Sequence, residues 1–348
     1  MSYKSSAACL KVSTVAVFML LFQFGNTQSF NDLDAVFALK QKQLKTDLVI
    51  MVANKDTVLY QKDTKTFSTL RGQAPIGNSS QMLTVALIMM LVDEGKIGLD
   101  DRISYYIPEF AKYGKSYITI RHCLSNKTGI QADGGKLKKA FEKKKFESLE
   151  KEVNSYAARE IQRNPGEEFR FNTMGINIAA RVLEVVTKKK FDMLAQQKLF
   201  RPLGMRQTTF TTLDASAIDP SDGARSTAGD LIRFMTMLLN GGMYKEQRIL
   251  TEASVKEIRK IHEATALNNA PAEVNGFQYA LGLWAPEQSG GEASVLNAPS
   301  FGGTIPVVDF CRGYAFVYLL KDLKDDQKAS AYYEIKGLLD GKFSKKCK

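Results

Sequence analysis

Two serine hydroxyls lie in a short loop before an apolar helix, and they are the groups with the clearest potential for covalent chemistry. The loop, residues 75–84, reads PIGNSSQMLT and includes Ser79 and Ser80. A long apolar helix is predicted directly after it, over 85–96. Backbone N–H groups at the start of a helix are unpaired and can face a developing anion. Serine hydrolases often place their nucleophile at such a junction, so acyl transfer is the first chemistry to consider here.

Two further short patterns contain residue types used in acyl transfer. Ser148 and Lys151 have the spacing that lets a lysine amine reach a serine hydroxyl one helical turn away, but they lie in a charge-rich segment typical of a solvated helix. Residues 127–129 read Lys-Thr-Gly, a pattern that can line an active site. Neither pattern is specific enough to predict a site.

The histidines and the charge distribution exclude several other kinds of site. The chain has two histidines, His122 and His262, far apart in sequence, which does not favour a histidine-dependent triad. We find no Cys/His cluster, and we expect neither a metal nor a cofactor. The formal net charge is +11, with the lysines in short scattered runs. Because these runs are not interleaved with aromatic residues, they indicate a solvated basic surface and do not favour nucleic-acid binding.

The N-terminal segment is typical of a secretory signal peptide. Lys4 and Lys11 precede an apolar run at 12–24, and small and polar residues follow at 25–29. A run this short does not favour a spanning helix, so we predict a signal peptide over residues 1–29 and a secreted or periplasmic protein. An uncleaved anchor is the alternative. No later stretch is long and apolar enough to predict a transmembrane segment in the mature chain.

The mature chain would retain three cysteines. Cys123, Cys311 and Cys347 are odd in number and irregularly spaced, which predicts no disulfide framework. Cys123 lies in an apolar helical context and is expected to pack in the core.

Strand patterns lie near both ends of the chain, and helical patterns lie between them. We predict strands over 48–53, 57–60, 277–284, 303–309 and 313–320. The main predicted helices cover 31–44, the segment ending at Gly95, 136–163, 176–188, 191–203, 226–239, 251–261 and 325–339. This order predicts an α+β fold whose antiparallel sheet is formed by N- and C-terminal segments, flanked by helices, with an inserted helical lobe. We expect one domain over 30–348, with the sheet part at about 30–75 and 270–348 and the helical part at about 76–269.

With these elements in place, the chain resembles the β-lactamase-related serine hydrolases. That family includes class C β-lactamases, penicillin-binding-protein-like D-alanyl-D-alanine carboxypeptidases and related esterases. Each matching stretch is weak alone, but the stretches occur in the family's order over residues 45–340. They are LVDEGKIGLDD at 91–101, ITIRHCLS at 118–125, PG at 165–166 with Phe169, RPLGM at 201–205 and STAGDL at 226–231.

The resemblance implies that every catalytic position has been replaced. Asn78 stands where the family has its nucleophilic serine, and Gln81 stands where it has the lysine base. Phe171 and Thr173 replace the tyrosine and asparagine of the Tyr-x-Asn motif, and Asn297 falls near the Lys or His of the third motif. An amide does not act as a base near neutrality, and a phenyl ring has no proton to transfer. The family does not use the position of His122, so that residue is expected to cap or pack within its own turn.

These replacements favour a catalytically inactive homologue. The former active-site cleft would then bind a peptide, a cell-wall fragment or a protein partner through uncharged donors and acceptors, namely Asn78, Gln81, Thr173 and Asn297. An interaction surface with no ligand in the cleft is not distinguished from this by the sequence.

The alternative is a working serine hydrolase with a relocated nucleophile, either Ser79 or Ser80. Such an enzyme would be an esterase, a D-Ala-D-Ala peptidase or a β-lactamase-like hydrolase. Against it, neither serine has a lysine three residues later, and each lies about 100–200° around a helix from the family's nucleophile position.

Overall fold

The structure is a computed structural model that describes residues 29–64, 67–68, 71–132, 146–212, 216–262, 267–268, 270–300, 303–322 and 328–347. All but the last residue of the predicted signal peptide lies outside the described residues, as does the 133–145 part of the predicted helix at 136–163. Among the described residues, no helix combines the length and apolar character that a membrane crossing requires.

The described chain forms eleven α-helices and thirteen strands. The strands are β1 Leu48–Asn54, β2 Val58–Asp63, β3 Ala74–Pro75, β4 Phe169–Arg170, β5 Arg225–Ser226, β6 Met243–Tyr244, β7 Gln247–Arg248, β8 Leu267–Asn268, β9 Gln278–Tyr279, β10 Trp284–Ser289, β11 Glu292–Asn297, β12 Ile305–Asp309 and β13 Tyr314–Leu320. The helices are α1 Asn31–Leu44, α2 Ser80–Asp93, α3 Glu109–Lys112, α4 Ile120–Leu124, α5 Leu149–Ala157, α6 Met174–Thr187, α7 Phe191–Ala195, α8 Arg201–Leu203, α9 Ala228–Leu239, α10 Glu252–Arg259 and α11 Lys328–Lys342.

Seven strands form one antiparallel sheet in the order β2-β1-β13-β12-β11-β10-β9. The pairing of β1 with β13, from Leu48 opposite Leu320 to Asn54 opposite Tyr314, joins the two ends of the chain. The predicted α+β fold with an antiparallel sheet drawn from both ends is therefore confirmed.

Helices cover both faces of this sheet. Successive residues of β1 alternate between two apolar clusters: Val49 and Met51 pack with α2, α6 and α9, whereas Leu48 and Ile50 pack with α1 and α11. Because side chains of a strand point to opposite faces in turn, a strand buried on both faces is apolar throughout.

Helix α2 is buried on all sides. Every residue from Ser80 to Met89 is buried, together with Leu91. A helix that is apolar around its whole circumference belongs in the interior of a protein, and α2 occupies that place between α6 and α10. The residues at its start are consequently held by packing along the whole helix.

The structure corrects the prediction for the region before β12. The predicted strand at 277–284 is the two-residue β9 followed by a turn, and a hairpin of β10 and β11 was missed. Gly290 and Gly291, both with positive φ, form the turn of this hairpin. The missed strand β11 ends at Asn297, so this hairpin sets the position of one predicted site residue.

Two helical predictions are also corrected. Of the helix predicted over 136–163, the structure describes residues 146–163. In that part α5 is helical, whereas residues 158–163 are not. The helix predicted over 191–203 is formed by α7, a π-helical turn at Gln196–Phe200 and α8.

The prediction that the cysteines form no disulfide framework is wrong. Cys311 and Cys347 form a disulfide with their Cα atoms 5.1 Å apart. Of the three cysteines after residue 29, Cys123 is free and buried in the core, as predicted. The other two are the pair that forms the disulfide. The disulfide joins the β12–β13 turn to the segment after α11.

A charged cluster lies beside this disulfide, between the sheet and α11. Asp309 is fully buried at the end of β12, and its carboxylate lies 3.1 Å from Arg312 and 3.2 Å from Lys336. Lys336 also binds Glu287 and Asp340, each at 2.7 Å. Buried charges are tolerated only when paired in this way.

Candidate functional site

The loop before α2 is a single 3₁₀ turn over Gly77–Ser79. Gly77 has φ +52°, and a Cβ atom at this position would lie 2.2 Å from Oγ of Ser300. Glycine is therefore favoured here by the backbone conformation, and the side chain of Ser300 approaches this position closely.

The hydroxyl groups of Ser79 and Ser80 bind backbone atoms of distant segments. Oγ of Ser79 donates to the carbonyl oxygen of Ala298 at 2.6 Å. Oγ of Ser80 donates to the carbonyl of Gly77 at 2.6 Å and accepts from the N–H of Ala224 at 3.0 Å. Both serines are fully buried, and none of these partners can remove a proton. The same helix adds a third bond of this kind, from Oγ1 of Thr84 to the carbonyl of Pro220.

The two amides at the start of α2 have different environments. Asn78 is half-buried. Gln81 is 2% exposed, and its Nε2 has no hydrogen-bond partner among the described residues. A buried amide without a partner costs about 1–3 kcal/mol, so this donor is available to a bound group.

The loop after β11 brings the third predicted region to the same place. Asn297 is 1% exposed at the end of β11, and its Oδ1 has no partner among the described residues. The next residue, Ala298, accepts the hydrogen bond of Ser79. Oγ1 of Thr304, at the far end of this loop, is likewise buried and unpaired within the described chain. Asn78 and Asn297 thus lie on two segments that are directly bonded to each other.

Phe171 lies in an aromatic cluster at the edge of the sheet. Its ring centroid is 5.3 Å from that of Trp284 and 6.4 Å from that of Tyr279. Trp284 stands directly opposite Asn297 in the β10–β11 pairing. Phe171 therefore packs against the indole whose cross-strand neighbour is Asn297, and it contributes apolar contact there.

Thr173 caps the start of α6, and the segment before it is oriented by Asn126. Thr173 is half-buried and its hydroxyl forms no capping bond. Oδ1 of Asn126 accepts from the N–H of Asn172 at 3.1 Å, and Nδ2 of Asn126 donates to the hydroxyl of Tyr279 at 2.8 Å. Asn126 has φ +56°. This one buried amide fixes the 170–173 segment relative to the sheet.

Replacing Asn126 by alanine is expected to lower the free energy of unfolding by about 2–3 kcal/mol. The substitution removes two buried hydrogen bonds and places a Cβ-bearing residue without a polar side chain at positive φ. The glycine variant Asn126→Gly also loses the bonds but accepts the backbone conformation, so it should be about 1 kcal/mol more stable than Asn126→Ala. Urea denaturation measures both values. Equal stability of the wild type and Asn126→Ala would contradict this role.

The other patterns singled out in the sequence are structural. Ser148 is the N-cap of α5, where its Oγ accepts from the backbone N–H of Lys151 at 3.2 Å. Residues 127–129 form a turn after α4, in which Oγ1 of Thr128 accepts from the N–H of Ile130 at 3.3 Å. Both arrangements satisfy backbone donors and leave no role in proton transfer.

Both histidines are partly buried. His122 takes part in a capping box, in which its Nδ1 accepts from the N–H of Thr119, so the prediction that it caps its own turn is confirmed. The pKa of His122 is lowered by burial. Burial also lowers the pKa of His262 to about 4, and the nearby positive charge of Arg121 acts in the same direction. His262 is therefore neutral at pH 7.

The protein is expected to lose stability as the pH falls from about 6.5 to about 4. In this range His262 is protonated in the unfolded chain, whose pKa is near 6.5, but not in the folded chain. The unfolded state then binds more protons, so acid favours unfolding, by an amount on the order of 1 kcal/mol for this partly exposed side chain. Urea melts at pH 7.5 and 4.5 of the wild type and His262→Gln measure the effect. An unchanged pH dependence in the variant would contradict it.

The start of α2 and the end of β11 bring buried polar groups close together. Both serine hydroxyls are committed to the backbone, and the described part of the chain contains no group of three or more His, Cys, Asp or Glu side chains suited to a metal ion. The unpaired atoms of Gln81 and Asn297 offer one N–H donor and one oxygen acceptor.

Two further residues, which the sequence patterns did not single out, shape this region. Asn126 orients the 170–173 segment, and Ser300 contacts Gly77. Asn126 shows one local signal, a polar residue between a helix end and a glycine turn, which is where left-handed backbone occurs. Ser300 carries no such signal because its contact joins residues more than 200 positions apart.

Known proteins similar to this chain share its fold across most of its length. The family model described as Beta-lactamase matches residues 39–339. AmpH of Escherichia coli K12, a D-alanyl-D-alanine-carboxypeptidase/endopeptidase, is 22% identical over 288 residues, which cover 74% of this chain and 73% of AmpH. Protein flp of Staphylococcus aureus MW2 is 27% identical over 138 residues, or 39% of this chain and 27% of flp.

Solved structures agree with this assignment of the fold. A candidate beta-lactamase from Bacteroides dorei DSM 17855 superposes with a TM-score of 0.80 at 21% identity, covering 89% of this chain and 98% of that one. EstCE1, a hydrolase with promiscuous acyltransferase activity, superposes with a TM-score of 0.73 at 18% identity, covering 89% and 99%. A penicillin-binding protein homologue from Caulobacter crescentus gives a TM-score of 0.71 at 16% identity, covering 88% and 95%.

Proposed function

The chain belongs to the beta-lactamase family, and from this premise we propose that it is a secreted, catalytically inactive homologue that binds a ligand in the former active-site cleft. The family membership rests on the match over residues 39–339. Secretion is supported by the basic and apolar N-terminal segment. The single-domain organisation over 30–348 is part of the same proposal.

The observation that carries this proposal is the contrast between the serines and the amides at the start of α2. The Ser79 and Ser80 hydroxyls are buried and bonded to backbone atoms, and neither is bonded to a basic side chain among the described residues, which supports an inactive homologue. Nε2 of Gln81 and Oδ1 of Asn297 are buried and unpaired. Unpaired buried polar atoms are rare in folded proteins and often mark a place where another group binds.

The unpaired atoms favour a ligand with amide groups. A peptide bond has one carbonyl acceptor and one N–H donor, which match the donor of Gln81 and the acceptor of Asn297 in type. AmpH is named as a D-alanyl-D-alanine-carboxypeptidase/endopeptidase. A cell-wall peptide ending in D-Ala-D-Ala is therefore the first ligand to test.

The test separates binding from catalysis. The protein without residues 1–29 is incubated with a fluorescent penicillin and with p-nitrophenyl acetate, and its intact mass is measured. We expect no covalent adduct and no ester hydrolysis above background, but a rise in melting temperature with a D-Ala-D-Ala pentapeptide, because a ligand that binds only the folded state stabilises it.

Matched variants identify the site. Gln81→Met keeps the side-chain length but removes the amide, so it should abolish the shift caused by the peptide. Gln131→Met, which changes an exposed glutamine outside the cleft, should keep the shift. A penicillin adduct that disappears in Ser79→Ala or Ser80→Ala would overturn the proposal in favour of a relocated nucleophile. A pentapeptide shift that persists in Gln81→Met would place the binding elsewhere.

A further inference from the structure

A second cleft, of about 840 Å³, lies away from the start of α2. It is formed by the segment before β3, the α8 region, the side of α9 and the β6–β7 hairpin, and its lining includes none of the predicted site residues. Its charged residues are Arg71, Arg201, Arg206, Arg233, Lys245, Asp230 and Glu246, and we call it the basic cleft. Five cations face two carboxylates there, which leaves an excess of three positive charges.

One carboxylate of the basic cleft is already compensated. Asp230 is buried and forms an ion pair with Arg233, and it also accepts from the N–H of Gln207 at 2.8 Å and from Oγ1 of Thr208 at 2.9 Å. Arg233 also donates to the carbonyl of Gly204 at 3.2 Å. These bonds fix the Arg233 guanidinium in the wall of the cleft, where it needs no rearrangement to meet an anion.

The other four cations have no ion-pair partner among the residues that the structure describes. Arg71, Arg201, Arg206 and Lys245 are exposed and come from three separate segments: the one before β3, the α8 region and the β6–β7 hairpin. Arginines elsewhere, such as Arg121 and Arg312, are paired with carboxylates. Like charges gathered around a concave surface repel one another and raise the local concentration of anions. The positive charges of the basic cleft therefore repel one another when the cleft is empty, and a bound anion would relieve this repulsion.

The residue types and the size of the cleft narrow the class of anion. Guanidinium groups bind phosphate through two parallel hydrogen bonds, each charge-assisted. A volume of about 840 Å³ exceeds what one phosphate ion fills, and the cations line several sides of the cleft. We propose that the basic cleft binds a ligand that carries two or more phosphate groups.

Calorimetric titration with sodium tripolyphosphate tests this inference. We expect binding at 50 mM NaCl that weakens at 300 mM NaCl, because the contacts are mainly electrostatic. The double variant Arg201→Gln/Arg206→Gln should bind at least about tenfold more weakly, since it removes two guanidinium groups that would form charge-assisted bonds with phosphate. The control Lys55→Gln/Lys112→Gln removes the same charge from exposed positions outside the cleft and should change the affinity less than about twofold.

Three outcomes would overturn the inference: no binding at low salt, equal losses in the two double variants, or equal affinity for citrate, which carries similar charge without phosphate. Thermal melts establish that all variants are folded.

Sedimentation with phosphatidylglycerol vesicles separates a soluble ligand from a lipid headgroup. Because the cationic surface is concave, we expect no sedimentation that depends on Arg201 and Arg206; sedimentation that depends on them, without tripolyphosphate binding, would contradict a soluble phosphate ligand.

Discussion

Replacing Asp309 by alanine is expected to lower the free energy of unfolding by about 3–5 kcal/mol, the largest effect of any single substitution considered. Asp309 is fully buried and pairs with both Arg312 and Lys336. It also accepts from the backbone N–H of Arg312 at 2.7 Å. Removing the carboxylate takes one negative charge away from Arg312 and Lys336 and leaves the backbone N–H of Arg312 unpaired. These uncompensated groups account for the large loss of stability.

Urea denaturation at pH 7 measures this effect, and two variants delimit it. Asp309→Asn keeps the shape and one acceptor, so it should lose less than Asp309→Ala. Asp322→Ala removes an exposed carboxylate and should change the stability by no more than about 0.5 kcal/mol. A loss below about 1 kcal/mol in Asp309→Ala would mean that Glu287 and Asp340 suffice to neutralise Lys336 and Arg312.

Removing the hydroxyls of Ser79 and Ser80 together is expected to lower the unfolding free energy by about 2–5 kcal/mol. Ser80→Ala leaves the N–H of Ala224 and the carbonyl of Gly77 without their side-chain partner, and Ser79→Ala does the same to the carbonyl of Ala298. Each buried group left unpaired costs about 1–3 kcal/mol. Denaturant titration of the single and double variants measures the losses.

The matched control is Ser116→Ala, whose half-buried hydroxyl forms no hydrogen bond with the described residues; its stability should change by no more than about 0.5 kcal/mol. If the double variant were as stable as the wild type, the hydroxyls would not hold the loop, and their availability for chemistry would have to be reconsidered. A structural role predicts a loss of stability with no change in ester hydrolysis.

The sequence was most informative where periodic patterns were long. Helix α1 was predicted with its observed bounds, Asn31–Leu44, and β1 and β13 were predicted within one or two residues. These elements carry an apolar pattern that identifies them without knowledge of their neighbours. The hairpin of β10 and β11 was missed because Pro286, Glu287 and Gln288 break the apolar pattern, although Gly290-Gly291 is itself a turn signal.

The proximity of the segments that carry the predicted site residues could be predicted from the sequence, but their hydrogen bonds could not. The order of motifs located Asn78, Gln81 and Asn297 on segments that the fold brings together. The partners of Ser79 and Ser80 lie 219 and 144 residues away in the chain, and no local pattern reports such contacts. The disulfide was missed although Cys123 was correctly expected in the core, because spacing alone does not show that Cys311 and Cys347, 36 residues apart, meet in space.

The hydroxyl bonds at the start of α2 also bear on the entropy of ligand binding. Ser79, Ser80 and Thr84 tie two separate segments, one at Ala298 and one at Pro220 and Ala224, to one buried helix. A binding surface ordered before its ligand arrives loses little conformational freedom on association, so the ordering cost falls on the ligand. A conformationally restricted ligand, such as a cyclised peptide, should therefore bind this cleft more tightly than a flexible one with the same functional groups.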